Sequence, residues 1–358
     1  SIVALGIAIP MLPFYVRNAG GSEFEAAVIF SVFSAAALLS SPLWGRLSDK
    51  IGRKPVMLSS LFFTILSYVW LGLADDLWEI FLSRALAGFT AGWLATSQAY
   101  VADVTAPENR AKGLGLLGAA FGIGFTIGPT LTWAISAATG ETDYLLLSLI
   151  AAGCATVGLL VTLVFVAEPE RHRDPASRPG LKVLSDPQLA GLLGLYFCVF
   201  LVFTGVEGVF ALWGAAKFGL ETKDIGLLLG FGGIVTAIVQ GGLVGRLTKK
   251  LGEGRLAVLA VWTLAISLVL MTQVDEYYMI YLPMAFLAIA MGLHNPAMQS
   301  LISRIAPDDW KGGVMGTAQS VSSLARIAGP AWAGAAFASF GPVSQFYIGA
   351  IFLVPVLL

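Results

Sequence analysis

GRLSDKIGRKP occupies residues 45–55, and GRLTKKLGEGR occupies residues 245–255. The two stretches share Gly45/Gly245, Arg46/Arg246, Leu47/Leu247 and Gly52/Gly252, each pair offset by 200 residues. The offset persists further along, at Ala106/Ala306, Pro107/Pro307, Glu108/Asp308 and Gly113/Gly313, and Gly128-Pro129 answers Gly329-Pro330 at 201. A register kept over roughly 90 residues marks an internal repeat, so the chain is built as two parallel halves.

What surrounds the repeat decides the medium. Of 358 residues, 57% are hydrophobic; 21 basic and 22 acidic residues make up 12% of the chain, against about 25% in soluble domains. With a mean hydropathy of +0.82, most of the outer surface must meet lipid, and a soluble globular protein is excluded. The net charge of -1 gives no reason to expect a nucleic-acid partner. Cys154 and Cys198 both lie in apolar runs, which supports neither a disulfide framework nor a thiolate metal site. There is no phosphate-binding glycine loop and no soluble domain to hold one, so an enzyme is not expected.

Apolar stretches able to cross ~30 Å of hydrocarbon lie near 1–17, 25–44, 55–73, 78–101, 112–136 and 144–166, then near 188–212, 223–245, 255–273, 277–304, 312–338 and 343–358. The chain opens inside an apolar run without a methionine, and its first and last spans are read as truncated. Two bundles follow, 1–166 and 188–358, joined by a polar, proline-broken linker at 167–187. Placing that linker in the cytoplasm puts 16 Lys and Arg residues there and leaves only Arg17, Lys217 and Lys223 outside. Because basic residues resist translocation, both termini are expected in the cytoplasm.

These residues resemble a known family. GRLSDKIGRKP looks like the signature of the major facilitator superfamily, and GIGFTIGP at 122–129 resembles the fifth-span motif of its drug:proton antiporters. AYVADVTAPENRAKGLG at 99–115, EGVFALW at 207–213 and SSLARIAGP at 322–330 are most similar to the tetracycline-efflux-like branch. The resemblance implies an all-α membrane protein of the major facilitator fold, with twelve transmembrane helices in two pseudo-symmetric six-helix bundles. It also implies a proton-coupled secondary transporter that exports drug-like amphiphiles by alternating access. Its partners would be a small-molecule substrate, protons and the lipid bilayer, with the proton gradient as energy source and no cofactor. A monomer in the bacterial inner membrane is expected. Two alternatives stay open: a transporter of a sugar or organic anion, and a transport-inactive receptor or scaffold of the same fold.

Motif by motif, the physical readings are these. Gly45 and Gly52 permit a tight turn, while Asp49 stands as a carboxylate among Arg46, Lys50, Arg53 and Lys54. It can accept hydrogen bonds from free amides at a helix N-terminus and pair with a cation, and Asp103 offers a second anion. The family resemblance implies that Asp49, Arg53 and Asp103 form a conformational latch; the plain alternative is a topology-setting charged loop. In span five, Gly118, Gly122, Gly124 and Gly128 leave one face bare and Pro129 removes a backbone hydrogen bond, which suits a hinge or ordinary close packing. Gly329-Pro330 repeats the arrangement.

Arg84, Glu207 and Arg326 lie inside spans, where a charge costs ~2.5 to 3.5 kcal/mol on insertion scales and should face protein or a wet cavity. Glu207 is the expected proton-coupling group, since a carboxylate at low dielectric can take up and release a proton near neutral pH. A static ion pair with Arg326 is its competing reading. Arg84 opens RALAG at 84–88, which resembles the family's fourth-span arginine motif, and it can bias a neighbouring carboxylate or simply bind carbonyls. Arg326 can in addition attract an anionic or zwitterionic substrate. Tetracycline exporters usually carry an acidic residue before the G-x-x-x-P of span one; here Gly6, Pro10 and Pro13 match and the aligned position is Ser1, so either the register shifts at the start or the chain lacks that carboxylate and Glu207 carries more of the coupling. Substrate contacts are expected from His294 and Asn295, next to Pro296, and from Gln98, Gln240, Gln299, Gln319 and Phe203, with Phe14, Tyr100, Phe200 and Trp213 as further aromatic candidates. Each polar side chain taken alone can equally serve an interhelical hydrogen bond. A lone histidine makes no metal site.

Overall fold

The structure is a computed structural model that describes residues 2–105, 110–169, 183, 185–307 and 311–357. Ser1, most of the linker, and the repeat positions Ala106, Pro107, Glu108 and Asp308 lie outside them. Thirteen α-helices are described: α1 Ile2–Asn18, α2 Glu23–Ile51, α3 Arg53–Gly72, α4 Leu77–Phe89, α5 Gly92–Val104, α6 Arg110–Thr139, α7 Tyr144–Phe165, α8 Pro187–Phe218, α9 Thr222–Ile238, α10 Val244–Thr272, α11 Tyr281–Ile305, α12 Lys311–Phe340 and α13 Ser344–Leu357. No strand occurs among the described residues. Among the described residues, seven helical stretches are long and apolar enough to cross a bilayer. Leu39, Val164, Phe165 and Ile351 are at least two-thirds exposed, a surface that water would not tolerate across so much of a fold and that lipid accommodates.

Helix boundaries follow local chemistry. Ser22 and Glu25 form a reciprocal capping box at the start of α2, with Ser22 N–H donating to Glu25 Oε2 at 2.7 Å and Glu25 N–H to Ser22 Oγ at 3.3 Å. Asp143 caps α7 through Leu146 N–H, and Asp186 caps α8 through Gln188 and Leu189, with Pro187 at the first helical position. The stretch 45–55, read as a turn, is mostly helix: α2 runs to Ile51 and α3 begins at Arg53. Gly52 alone breaks the path, at φ 112° and ψ 162°, a backbone region essentially reserved for glycine. Gly252 repeats this inside α10, at φ 77° and ψ 161°. Gly45 and Gly245 turn nothing. Both are helical, and a Cβ on either would meet no atom within 4 Å.

The apolar stretch read as one span at 78–101 is two helices, α4 and α5, broken at Thr90 and Ala91. A break in the hydrocarbon layer frees backbone groups that need partners. Trp44 Nε1–H donates to Phe89 O at 2.6 Å, Ser60 Oγ–H donates to Thr90 O, and Trp93 N–H donates back to Ser60 Oγ at 2.8 Å. A short π-helical segment, Val239–Leu243, lies between α9 and α10 and carries Gln240, Gly241 and Gly242.

The backbone gathers into two compact units, one of Ser1–Arg173 with Leu220–Gly230, the other of Asp174–Gly219 with Phe231–Leu358. In the first, Ile7, Met11, Ile29, Leu71, Ile80 and Leu147 are fully buried. There α1 crosses α6 nearly backbone to backbone: a Cβ on Gly128 would stand 2.5 Å from Gly6 Cα, and Thr132 donates to Ile7 O at 3.2 Å. In the second, α12 crosses α8 the same way. Thr204 donates to Ala325 O at 3.0 Å and Trp332 Nε1–H to Leu201 O at 3.2 Å, while a Cβ on Gly208 would stand 2.8 Å from Pro330 Cβ.

Candidate functional site

Two groups of side chains stand out, one in each unit. In the first unit, Arg53 sits at the start of α3, just past the Gly52 break, and its guanidinium is 17% exposed. Nη1–H donates to Asp49 Oδ1 at 2.7 Å and to Ser48 Oγ at 2.6 Å, and Nε–H donates to Asp103 Oδ2 on α5 at 2.8 Å. The three residues read as a latch therefore meet in the structure. A carboxylate does serve a helix N-terminus here, and it is Glu168: the amides of Arg53 and Lys54 donate to its two oxygens at 2.7 and 2.8 Å. Glu168 follows α7 by three residues and reads in the sequence as one charge among many in the linker.

The second unit's matching corner carries a different pair. Glu253, one residue past Gly252, accepts from Arg304 Nη1 on α11 at 2.7 Å and from Ser300 Oγ at 3.4 Å. The glutamate is 16% exposed and the arginine 68%.

Deeper in the second unit, His294 on α11 is 1% exposed and neither ring nitrogen has a hydrogen-bond partner among the described residues. Its ring stacks on Tyr196 of α8, with centroids 5.9 Å apart and planes at 16°, and lies 6.4 Å from Phe200. Tyr196 O–H donates to Asn295 Oδ1 at 2.9 Å, and Gln299 Nε2–H reaches the same oxygen at 2.9 Å. Arg326 of α12 places its guanidinium 5.7 Å from the Phe200 ring centroid. His294, Asn295, Gln299 and Arg326 thus come together through two aromatic rings on α8. Glu207 lies on the stripe of α8 that carries Tyr196, Phe200 and Phe203, at the +4, +3, +4 spacing of one helix face. No direct ion pair within 4 Å joins it to Arg326, although the two charges interact at longer range. Tyr196 was not among the aromatic candidates, although that spacing points to it.

In the first unit, Arg84 is 1% exposed on α4, with its guanidinium 4.8 Å from the centroid of the Tyr68 ring on α3. Its Nε and Nη2 have no hydrogen-bond partner among the described residues. Gln98, Gln240 and Gln319 are exposed, and Phe203 is half-buried. Gly124, Gly128 and Pro129 lie at the α1–α6 crossing, and Gly329 and Pro330 at the α8–α12 crossing. No group of three or more His, Cys, Asp or Glu that could hold a metal gathers among the described residues.

Residues 1–330 match the family model of the Major Facilitator Superfamily. The class C tetracycline resistance protein of Escherichia coli is 28% identical over 92% of this chain and 84% of its own length. The class D protein of Salmonella ordonez is 30% identical over 92% and 84%. Multidrug resistance protein 2 of Bacillus subtilis is 28% identical over 94% and 86%. Among solved structures, a nucleoside transporter superposes with a TM-score of 0.82 at 11% identity, covering 99% of this chain and 96% of its own. A human organic anion transporter superposes with a TM-score of 0.74 at 24% identity, covering 99% and 95%. The chain belongs to the Major Facilitator Superfamily; it is an integral membrane transporter of that fold and not an enzyme.

Proposed function

We propose that this member of the superfamily is a proton-coupled antiporter that exports drug-like amphiphilic compounds, tetracycline-like molecules among them. In this reading it works as a monomer in the bacterial inner membrane, with both termini in the cytoplasm. Two six-helix bundles, 1–166 and 188–358, joined by the linker 167–187, would carry substrate by alternating access. The observation that carries the reading is Glu207. It is a carboxylate on the α8 face that carries Tyr196 and Phe200, inside a membrane span and without a direct ion-pair partner within 4 Å among the described residues, which suits a group that exchanges a proton. The resistance proteins named above, at 28 to 30% identity, support export as its direction.

Substrate would contact the His294–Asn295–Gln299 group together with Tyr196, Phe200 and Phe203, and Gln98, Gln240 and Gln319 from other helices. The orphaned nitrogens of His294 support this, because a buried imidazole without a partner is costly until a ligand or water supplies one. Arg84 and Arg326 would couple proton and substrate occupancy. Asp49, Arg53 and Asp103, with the break at Gly52, would latch one conformation, and the crossings at Gly124, Gly128, Pro129, Gly329 and Pro330 would act as hinges; Gly45, helical with open space around it, is left without a part in the latch. A second reading, transport of an organic anion, draws on Arg326, which is exposed and stands over the Phe200 ring without a direct carboxylate contact within 4 Å among the described residues.

Proteoliposomes with an imposed pH gradient test both. Tetracycline or a lipophilic cation should drive proton flux through the wild type, and Glu207→Gln should abolish it. If no compound in such a panel moves protons through the wild type, drug antiport is wrong, and an organic-anion screen decides the second reading.

A further inference from the structure

Glu168 stands outside every role assigned so far. It lies 115 residues from Arg53 in sequence, yet its carboxylate spans the first two amides of α3, Oε1 on Arg53 N–H at 2.7 Å and Oε2 on Lys54 N–H at 2.8 Å. A helix start leaves such donors orphaned and carries partial positive charge, so a carboxylate there satisfies both needs. The cap residue itself, Gly52, has no side chain to do it. That glycine also makes room: a Cβ at 52 would stand 2.6 Å from Oε1 and 2.7 Å from the carboxyl carbon of Glu168. The glycine of the repeated signature is thus required twice over, by its φ of 112° and by the carboxylate lodged against it.

The residue held in this way is the one that holds everything else at the corner. Arg53 receives Glu168 on its backbone amide and sends its guanidinium to Asp49, Ser48 and Asp103. Guanidinium forks need their stem fixed before they can serve two carboxylates at once. We propose that Glu168 is the positioning residue of this network: by clamping the first turn of α3 it sets the direction of Arg53, and it ties the chain just past α7, where the linker begins, to the Asp49–Arg53–Asp103 contacts. The inference rests on the latch reading of those three residues. A change at the head of the linker is then transmitted to Arg53 directly, through two hydrogen bonds.

The test is a double-mutant cycle in proteoliposomes, scored as initial rate of substrate-dependent proton flux and, separately, as equilibrium substrate affinity. Glu168→Gln keeps size and removes charge and one acceptor. It should lower the maximal rate about tenfold, the loss of one charge-assisted hydrogen bond read as a rate, and leave affinity unchanged. In an Arg53→Ala background the same change should add nothing, because its only route to transport is gone. Gly52→Ala, which drives a Cβ into the carboxylate and also strains the backbone at φ 112°, should lower the rate at least as far. Full wild-type rate in Glu168→Gln, or an effect that multiplies with Arg53→Ala, would overturn the proposal. If Arg53→Ala and Asp49→Asn themselves leave the rate intact, the latch reading fails instead, and the two failures are distinguishable. Matching detergent melting temperatures of wild type and Glu168→Gln exclude simple misfolding.

Discussion

The Gly52 corner of the first unit and the Gly252 corner of the second share a backbone and differ in charge. At both, a glycine with φ between 77° and 112° breaks a helix, and the next residue reaches to the end of a helix later in its own half. In the first that residue is Arg53, facing Asp103; in the second it is Glu253, facing Arg304. Polarity is inverted. The first corner is also the denser one, since one guanidinium at 17% exposure serves two carboxylates while Glu168 holds its backbone; the second is a single pair with a 68% exposed arginine. Duplication has kept the bend and the helix-to-helix reach while one copy gathered a network. A repeat detected in sequence therefore conserves geometry more faithfully than it conserves chemistry.

The sharpest break of this comparison is charge reversal at equivalent places. Arg53→Glu would set a fourth carboxylate against Asp49, Asp103 and Glu168, where like charges in close juxtaposition cost several kcal/mol. Transport flux should vanish and the melting temperature in detergent should fall, whereas Glu253→Arg, facing one mostly exposed arginine, should retain measurable flux. If the two variants lost flux equally, the asymmetry between the corners would be wrong. Next in size are Gly52→Ala and Gly252→Ala. Both meet the backbone penalty of about 1 to 3 kcal/mol for a glycine-only conformation, but only the first also collides with a carboxylate, as nothing lies within 4 Å of a Cβ at 252. Thermal unfolding of the two variants should rank them in that order.

Smaller again is the pair itself. Removing Glu253 or Arg304 singly should lower the melting temperature only slightly, because the arginine is mostly exposed, and the swap Glu253→Arg with Arg304→Glu should recover what Glu253→Arg loses. Unchanged loss in the double variant would show that the pair does not act as one. Smallest are Gly45→Ala and Gly245→Ala, both helical with open space around them, which should be neutral or raise stability by about 0.5 to 1 kcal/mol. A marked loss at either would restore a turn-forming role to that glycine.

Much of the fold was legible because its signals are periodic or compositional. The 200-residue offset, the apolar runs and the scarcity of charge each report one property of a long stretch. The break between α4 and α5 was not, since the residues around it are as apolar as their neighbours and what stabilises it, Ser60 and Trp44, comes from α3 and α2. The candidate site divides similarly. Asp49, Arg53 and Asp103 could be named because a carboxylate among cations is conspicuous. Glu168 could not, because a charged linker hides one meaningful charge among several, and its partners are backbone amides that leave no trace in the side-chain pattern. Tyr196 sat on the same face as Phe200 and Glu207 and was within reach of a helical-wheel reading.

The broken helix of the first unit carries its own optical probe. Trp44 donates its indole N–H to Phe89 O at the end of α4, and Trp93 stands in the first turn of α5 on the far side of the break, with its amide on Ser60. Indole emission responds to the hydrogen bond the ring makes and to the polarity around it. In a background where Trp44 is the sole tryptophan, its emission maximum becomes a direct gauge of whether the break between α4 and α5 stays closed while substrate is turned over, with no added label.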